Sequence, residues 1–445
     1  MYNAMKFELD KQTIKDLEIF GDRKVNYSIF NFYNKTKTEG GKDCLLALME
    51  NPLTDLQQLQ KRSNLIKYIS SIDFDLKINS GQLDFIETYS RLNIPPLRNN
   101  LIDAFLQNVS YNLKPTNDYY LIQTGILQVI YLVRHIKELV NAFTDSPSEE
   151  LSQLIDILNE FIYKIDFEGI KANSTKIGFK NINRLDYMLR NRYKNEFNSF
   201  IQTIYLLDAY ISVSKVANEK CLTFTDYIDN TTPTISIKKL YHPLLTNAVP
   251  YDVEITKSNN LCFLTGPNMA GKSTFLKSLG VAMYISHLGF PVPAEKMSTT
   301  IYNGIITTIN LSDSMNRGYS HFYSEVRRVK EVAMNLKEKN RLLVIFDELF
   351  RGTNVKDAFD ASLLIIESFA KINKSTFFVS THITEVAEKL TRFSNIDFKY
   401  FDSELVDDLP VYKYELKDGV SHERLGMHIL KNEKIIEILN SIAEN

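Results

Sequence analysis

The chain contains 445 residues, 44% of them hydrophobic, and carries a formal net charge of -2 at pH 7. This length and apolar content predict a folded protein of about two or three domains, and they exclude a disordered chain. The nearly neutral charge excludes a uniformly basic surface, so any contact with nucleic acid needs a local basic patch or an enclosed channel.

The sequence carries no signal for a membrane span or for a disulfide or metal framework. No stretch approaches the roughly 20 consecutive apolar residues that cross a bilayer, and the N-terminus has no apolar signal core. We therefore expect a cytoplasmic protein with no membrane partner. The three cysteines, Cys44, Cys221 and Cys262, lack metal or redox spacing and are expected to be core thiols.

The N-terminal region begins with a predicted strand over residues 7–10. A polar loop that contains Gly40 and Gly41 follows, and a helix is expected to begin at Asp43.

Residues from about 75 to 230 show the pattern of helices separated at prolines. One helix is expected to use Ser146 as its N-cap, with Pro147 in its first turn and an apolar stripe over residues 151–165. Such stripes are typical of helix packing, so we predict an all-α core or lever domain over residues 1–232.

One segment of this region is rich in basic residues. A single acid, Asp186, interrupts it, and Phe179, Tyr187 and Tyr193 lie among its cations. Basic residues mixed with aromatic ones suit a phosphate backbone, although a solvated helix face has the same composition. The candidate DNA contacts are Lys171, Lys176, Lys180, Arg184, Arg190, Arg192 and Lys194.

Short alternating runs replace the helical pattern after Thr231. Residues 235–237 and 253–255 alternate apolar and polar side chains, as half-buried strands do. We therefore place the domain boundary at residue 232 and predict an α/β domain over residues 233–445.

The most informative motif follows an apolar run, Leu261 to Thr265, that predicts a buried strand. The next eight residues fit G-x-x-x-x-G-K-[ST], in which backbone N–H groups wrap a phosphate chain. We expect Lys272 to reach the β- and γ-phosphates of a nucleoside triphosphate, and Ser273 to take one place on Mg²⁺. The residues that surround the phosphates are Gly266, Pro267, Asn268, Met269, Ala270, Gly271, Lys272, Ser273 and Thr274.

The amino-acid sequence of this loop closely resembles that of the P-loop of the MutS family of DNA mismatch repair ATPases. Two earlier stretches resemble the same family, namely Asn34-Lys35-Thr36-Lys37-Thr38 and Asn51-Pro52-Leu53. Tyr241-His242-Pro243 is similar to the segment that opens the family's ATPase domain. The resemblance implies an α/β P-loop NTPase domain, ABC-type and MutS-like, preceded by an all-α core or lever domain. It also implies ATP and Mg²⁺ as cofactors.

A second apolar run, Leu342 to Phe346, ends in two acids, Asp347 and Glu348. Carboxylates that follow a buried parallel strand lie at the sheet edge where ligands bind. Downstream of a P-loop, this pattern predicts that Asp347 holds Mg²⁺ through water. It also predicts that Glu348 polarises the attacking water as a general base.

Further site residues are implied by the resemblance. Ser320 heads a helix in a stretch that resembles the family's signature loop, which reaches across a dimer to the γ-phosphate bound by the other subunit. His382 ends an apolar run where the family places a γ-phosphate sensor. Tyr414 lies in a stretch that resembles the closing hairpin, which can supply a ring to the adenine. The segment from Leu425 to Leu439 resembles the terminal dimerisation helices in shortened form.

The resemblance implies an ATP-driven DNA-binding clamp or motor that works as a homodimer and is related to mismatch repair. Because nothing in the sequence precedes the core, we expect no mismatch-reading module of the usual kind, and duplex or branched DNA as the partner. A repair or recombination protein is a further candidate partner. A nucleoid-associated place in the cytoplasm is expected.

Two other functions fit parts of the sequence. An ABC-type ATPase subunit of a transporter would share the P-loop, but the chain has no Leu-Ser-Gly-Gly-Gln signature. An ATP-gated dimeric scaffold on DNA would bind ATP without hydrolysing it, whereas Lys272, Asp347 and Glu348 are all present, as hydrolysis requires. Membrane fractionation distinguishes the first alternative, and ATP turnover distinguishes the second.

Overall fold

A computed structural model describes most of the chain. The described residues are 6–21, 27–72, 76, 78, 80–114, 116–142, 148–165, 177–309, 321–406, 409–421, 435, 439 and 442. Helices dominate between residues 29 and 219, and strands alternate with helices from residue 226 onward. This order agrees with the hydrophobic patterns of the sequence.

The helices lie mostly in the first half of the chain. Within the described residues they are α1 (Lys11–Asp16), α2 (Ile29–Tyr33), α3 (Glu39–Glu50), α4 (Leu56–Ser71), α5 (Ser80–Ser90), α6 (Leu101–Leu113), α7 (Asn117–Ala142), α8 (Glu149–Lys164), α9 (Phe179–Tyr187), a π-helix (Met188–Arg192), α10 (Lys194–Glu219), α11 (Lys272–Ser286), α12 (His321–Glu338), α13 (Val355–Ala370) and α14 (Glu385–Leu390).

The strands lie mostly in the second half. Within the described residues they are β1 (Glu8–Leu9), β2 (Asp226–Ile228), β3 (Ile235–Leu240), β4 (Tyr251–Ile255), β5 (Leu261–Thr265), β6 (Lys296–Thr300), β7 (Gly304–Thr308), β8 (Leu342–Phe346), β9 (Thr376–Ser380), β10 (Ile396–Phe401), β11 (Glu404–Val406), β12 (Leu409–Val411) and β13 (Leu416–Asp418).

The chain divides into two compact units, and the division differs from the single boundary expected at residue 232. The first unit comprises Met1–Phe32, Asn51–Ser63 and Lys220–Asn445, and the second comprises Tyr33–Glu50 and Asn64–Glu219. The N-terminal segment belongs with the α/β region because β1 pairs in parallel with β7. A Cβ atom on Gly304 of β7 would lie 2.3 Å from the Cβ atom of Glu8, so glycine permits this close pairing.

The sheet that contains β5 brings the predicted nucleotide motifs together. Within the described residues its order is β1-β7-β8-β9-β5-β10-β13, with parallel neighbours except for the β10/β13 pair. The P-loop strand β5 and the acid-bearing strand β8 therefore lie on either side of β9. Because these strands are parallel, their carboxyl ends meet at one edge of the sheet.

The core of the first unit surrounds these strands. Every residue of β5, β8 and β9 is buried, as expected of a parallel sheet covered on both faces. Phe369 of α13 stacks on Phe377 of β9 with ring centroids 4.7 Å apart, and Phe346 packs against the same ring of Phe369. Replacing one of these phenylalanines by alanine should cost about 3–5 kcal/mol of unfolding free energy.

The second unit is organised around α10, which is buried around most of its circumference. Phe161 of α8 stacks on Phe197 and Phe200 of α10, with centroid distances of 5.6 and 4.4 Å. The predicted apolar stripe of α8 is therefore a packing seam. The N-cap of α8 is Ser148, whose side chain accepts a hydrogen bond from the N–H of Leu151. The prediction of Ser146 as this N-cap is therefore wrong, and residues 146 and 147 themselves lie outside the described residues.

The first helix of the second unit begins earlier than the sequence indicated. Gly40 and Gly41 lie inside α3 and not in a loop before it. Thr38 caps this end, since its Oγ accepts a 2.9 Å hydrogen bond from the Gly41 N–H and donates a 2.8 Å hydrogen bond to Asp208. A Cβ atom on Gly41 would lie 2.2 Å from the Asp208 carboxylate, so the glycine allows α3 to pack tightly against α10.

The cysteines differ in environment. Cys262 is buried in β5, Cys44 is half-buried, and Cys221 is exposed. The expectation that all three are core thiols is therefore wrong for Cys221. Among the helices described, none is long and apolar enough to cross a membrane.

Candidate nucleotide-binding site

The P-loop connects β5 to α11 through two glycines in backbone conformations that other residues rarely adopt. Gly266 has φ 138° and Gly271 has φ 110°. A Cβ atom on Gly266 would lie 2.8 Å from the carbonyl oxygen of Phe401, so a side chain at this position would collide with β10. Gly271 is the N-cap residue of α11, and the unpaired N–H groups at a helix N-terminus attract anions.

Lys272 lies within the curve of this loop. Its side chain is buried, and Nζ donates hydrogen bonds of 2.8 Å to the Gly266 carbonyl and 3.0 Å to the Pro267 carbonyl. Burial lowers the pKa of the Lys272 ammonium, and the nearby carboxylates of Glu348 and Asp347 oppose this shift. The ammonium group is therefore positioned where a phosphate chain would contact the loop.

The predicted Mg²⁺ ligands contact each other. The Ser273 Oγ donates a hydrogen bond to Oδ2 of Asp347, which directly follows β8. Burial raises the pKa of Asp347, while hydrogen bonds from Ser273 and Ser380 lower it. A hydroxyl and a carboxylate at one point are hard oxygen donors, and Mg²⁺ prefers such donors with water and phosphate in its remaining positions. The two side chains therefore fit a shared Mg²⁺.

Glu348 occupies the same sheet edge in a strained backbone conformation. Its φ is 56°, in the left-handed region, which costs a non-glycine residue about 1–3 kcal/mol. Its N–H donates a 2.9 Å hydrogen bond to the Ser380 Oγ, and its Oε2 accepts a 2.9 Å hydrogen bond from Nη1 of Arg351. A cavity adjoins the acid and is lined by Thr308, Ile309, Glu325, Phe346, Asp347, Glu348, Leu349, Phe350 and Arg351.

Tyr414 lies beside the P-loop, between β12 and β13. A Cβ atom on Gly271 would lie 3.2 Å from the Tyr414 ring, and this residue is 40% exposed. Tyr414 lines a cleft together with Tyr251, Thr274 and His242. Burial raises the pKa of Tyr251 to about 12, and Tyr414 contributes to the shift. A cleft with two tyrosines next to a phosphate loop suits a flat nucleobase.

The structure describes only some of the remaining predicted site residues. His382 follows β9 and has an exposed side chain, at the same edge as Asp347 and Glu348. Ser320 lies outside the described residues, as does most of the segment from Leu425 to Leu439.

Comparison with known proteins identifies the family. A family model described as MutS domain III matches residues 12–351, and one described as MutS domain V matches residues 262–444. The chain belongs to the MutS family. Domain V is the ATPase domain of this family, and it covers the P-loop and both acids.

Individual relatives agree with this assignment. DNA mismatch repair protein MutS of Finegoldia magna is 25% identical over an alignment 529 positions long, which covers 95% of this chain and 60% of the relative. MutS protein homolog 4 of Mus musculus is 29% identical over 296 residues, covering 63% of this chain and 30% of the relative. DNA mismatch repair protein MutS of Anaplasma phagocytophilum is 30% identical over 226 residues, covering 50% and 27%. These matches span between about a quarter and three fifths of the relatives' lengths.

Glu325, His242 and Tyr251 lie near the site but were not assigned to it from the sequence. Glu325 of α12 is buried and accepts hydrogen bonds of 3.3 Å from the Arg351 N–H and 3.2 Å from the Gly352 N–H. It connects the helix that follows the signature stretch to the loop that follows the acids. His242 and Tyr251 line the cleft beside Tyr414, and the His-Pro resemblance was the sequence signal nearest to them.

Only some of the side chains in the predicted DNA-binding segment of this MutS chain are exposed. Lys180, Arg192 and Lys194 are exposed and Arg184 is half-buried, whereas Lys171 and Lys176 lie outside the described residues.

The prediction that Arg190 contacts DNA is wrong, because its side chain is buried. Its Nε and Nη2 each lie 2.6 Å from the carboxylate of Asp186, which also accepts hydrogen bonds from the Tyr89 hydroxyl and the Leu97 N–H. Asp186 is therefore the partner of Arg190 within the helical unit, and Arg190 cannot contact DNA in this arrangement.

Proposed function

We propose that this chain is an ATPase of the MutS family, in which ATP binding and hydrolysis drive clamping on DNA. One observation carries the proposal, namely the hydrogen bond between Ser273 and Asp347. It joins the P-loop helix to the acid-bearing strand and creates a single site with phosphate-binding, metal-binding and acid groups. Membership of the MutS family separates the chain from the transporter alternative.

Each residue of the site has a proposed task. Lys272 neutralises the β- and γ-phosphates, and Ser273 and Asp347 hold Mg²⁺, which neutralises phosphate charge when bound. Glu348 accepts a proton from the attacking water. His382 contacts the γ-phosphate from the end of β9, and Tyr414 stacks on the adenine.

The dimer is part of the proposal. Ser320 is proposed to reach the ATP held by the partner subunit of a homodimer, so that each site draws residues from both chains. Its support is the family membership and the position of α12, which begins directly after this residue and touches the loop after the acids through Glu325.

DNA binding is proposed to use the phosphate backbone. The exposed Lys180, Arg192 and Lys194 can neutralise phosphates, and such contacts carry no information about base sequence or mispairing. We therefore propose that the chain binds duplex or branched DNA with little preference for a mismatch. A repair or recombination protein as partner and a nucleoid-associated, cytoplasmic location are proposals of the same kind.

The proposal is tested by ATP turnover of the purified chain alone and with homoduplex, mismatched and branched DNA. The control is Lys272→Ala, which removes the cation from the P-loop. We expect the wild type to hydrolyse ATP at a rate that changes when DNA is added. We expect the variant to hydrolyse no ATP. Tight ATP binding with no turnover on any of these DNAs would instead identify an ATP-gated scaffold.

A further inference from the structure

The central strand β9 ends in a hydroxyl that touches both acids of the site. Because β9 lies between β8 and β5, its last residue, Ser380, lies between the acids and the P-loop strand. Ser380 is fully buried, and the N–H of its neighbour Thr381 donates a 3.1 Å hydrogen bond to the Leu264 carbonyl of β5. Nothing in the predicted chemistry of the site uses Ser380.

The directions of its hydrogen bonds are determined by the partner atoms. The Glu348 N–H can only donate, so the Ser380 Oγ accepts this 2.9 Å hydrogen bond. The single hydroxyl proton is then available for Oδ1 of Asp347, which lies 2.5 Å away. The other carboxylate oxygen, Oδ2, accepts from Ser273. The carboxylate therefore presents Oδ1 to Ser380 and Oδ2 to the P-loop.

Ser380 also holds the backbone after Asp347. The N–H of Leu349 donates a 3.3 Å hydrogen bond to the Ser380 carbonyl, in addition to the bond from the Glu348 N–H to the hydroxyl. These two contacts hold the backbone at Glu348 and at the residue after it, and Glu348 is the residue with the strained φ of 56°. Such a conformation persists only where the surroundings hold it in place.

We propose that Ser380 is a positioning residue of the ATPase site, which turns Oδ2 of Asp347 toward Ser273, with which it would hold Mg²⁺, and holds the Glu348 backbone in its strained conformation. This inference rests on the proposed function of the same site. Outer-shell partners of metal ligands typically change metal affinity by about 10- to 100-fold when they are removed. A weaker Mg²⁺ site is thus the specific consequence of losing this hydroxyl.

The chain offers a matched control at the opposite end of the same strand pair. Ser375 is buried next to the start of β9, and its Oγ accepts a 3.2 Å hydrogen bond from the Leu342 N–H at the start of β8. Ser375→Ala removes the same atoms as Ser380→Ala and leaves the acids untouched.

The test measures Mn²⁺ binding by electron paramagnetic resonance in the presence of a non-hydrolysable ATP analogue, with Mn²⁺ standing in for Mg²⁺. We expect Ser380→Ala to weaken Mn²⁺ binding by about 10-fold or more, and Ser375→Ala to bind like the wild type. Circular dichroism and thermal unfolding establish that each variant is folded. Ser380→Cys, which keeps the shape of the side chain with a weaker donor, replaces Ser380→Ala if the latter does not fold.

The two hypotheses fail separately. Equal Mn²⁺ affinity in wild type and the Ser380 variants would overturn the role of Ser380, even with normal ATP turnover. Absence of turnover in a wild-type protein that binds Mn²⁺ and the analogue would overturn the ATPase, while the affinity comparison would still decide the role of Ser380.

Discussion

The Oγ atom of Ser273 donates a hydrogen bond to the carboxylate of Asp347, although 74 positions separate the two residues in the chain. The contact exists because β5 and β8 end at the same edge of a parallel sheet with β9 between them. It brings the N-terminus of α11, a kind of site that attracts anions, next to the two acids that follow β8.

The first prediction concerns the dimer. If Ser320 serves the ATP of the partner subunit, neither Lys272→Ala nor Ser320→Ala homodimers should hydrolyse ATP. Mixing the two variants creates heterodimers in which one site carries both defects and the other carries neither, so turnover should partly return. The measurement is ATPase rate against mixing ratio, with subunit exchange confirmed by differently tagged chains. An inactive mixture that contains proven heterodimers would contradict the assignment of Ser320 to the partner's site.

The second prediction separates the exposed cations from the buried one. Replacing Lys180, Arg192 and Lys194 together by alanine should weaken DNA binding and flatten its salt dependence. The log–log slope should fall by up to about 0.9 for each DNA phosphate that is no longer neutralised. The measurement is a DNA titration at several salt concentrations with matched and single-mismatch duplexes. An unchanged slope would place the DNA-binding surface elsewhere, and a large, salt-independent preference for the mismatch would contradict backbone binding.

The matched comparison for that set is Arg190→Ala. Its guanidinium is ion-paired with Asp186, and both side chains are at most 4% exposed. Removing one member of a buried pair leaves the other charge uncompensated, so we expect a loss of about 3–5 kcal/mol in unfolding free energy. Chemical denaturation measures this loss. Unchanged stability together with weaker DNA binding would return Arg190 to the DNA surface.

What the sequence could predict was local. The runs that form β5, β8 and β9 are continuous and apolar, so their burial in a parallel sheet followed from the pattern, and the P-loop and the acid pair were readable from residue type and spacing. The position of Ser380 could not be predicted from the sequence. A serine at the end of an apolar run lies between the acids and the P-loop only because of the order of the strands, which the local sequence does not indicate.

Other differences also reflect long-range contacts. The N-terminal segment joins the α/β unit through the pairing of β1 with β7, which no local pattern indicates. Composition could not distinguish Arg190 from its exposed neighbours. It lies in a π-helix, whose wider turn departs from the α-helical periodicity used to assign faces.

The third prediction concerns the nucleobase. Tyr414→Ala should weaken ATP binding by about 1–3 kcal/mol, the usual contribution of stacking between an aromatic side chain and a base. Tyr414→Phe keeps the ring and should bind like the wild type. Affinities for ATP and for inorganic triphosphate, which lacks a base, separate stacking from phosphate contacts. Equal losses for both ligands in Tyr414→Ala would exclude a base contact.

The fourth prediction is a loss of stability in acid caused by His287. This histidine is fully buried at the end of α11, and burial lowers its pKa to about 4. Its Nε2 accepts a 3.0 Å hydrogen bond from the Tyr302 N–H, and its Nδ1 lies 2.8 Å from the Met283 carbonyl, so the neutral ring satisfies both partners. The unfolded chain, with an ordinary pKa near 6.5, binds the proton more readily.

The stability that His287 contributes is therefore complete above about pH 6.5 and is lost as the pH falls toward 4. At the lower end of this pH range, the loss of unfolding free energy amounts to about 3 kcal/mol. Chemical denaturation between about pH 7 and pH 4 measures it, and His287→Gln, which does not titrate, should show a shallower decline. An equally steep decline in the variant would assign the effect to other groups.

The most direct test of ATP hydrolysis at this site compares nucleotide binding and turnover in wild type, Lys272→Ala and Glu348→Gln. Glutamine keeps the shape of Glu348 and can still accept from Arg351, but it cannot act as the base. We predict that Glu348→Gln binds ATP like the wild type and turns it over about 10²- to 10⁴-fold more slowly, whereas Lys272→Ala binds ATP weakly. Hydrolysis by Glu348→Gln at the wild-type rate would contradict the assignment of Glu348 as the general base of this site.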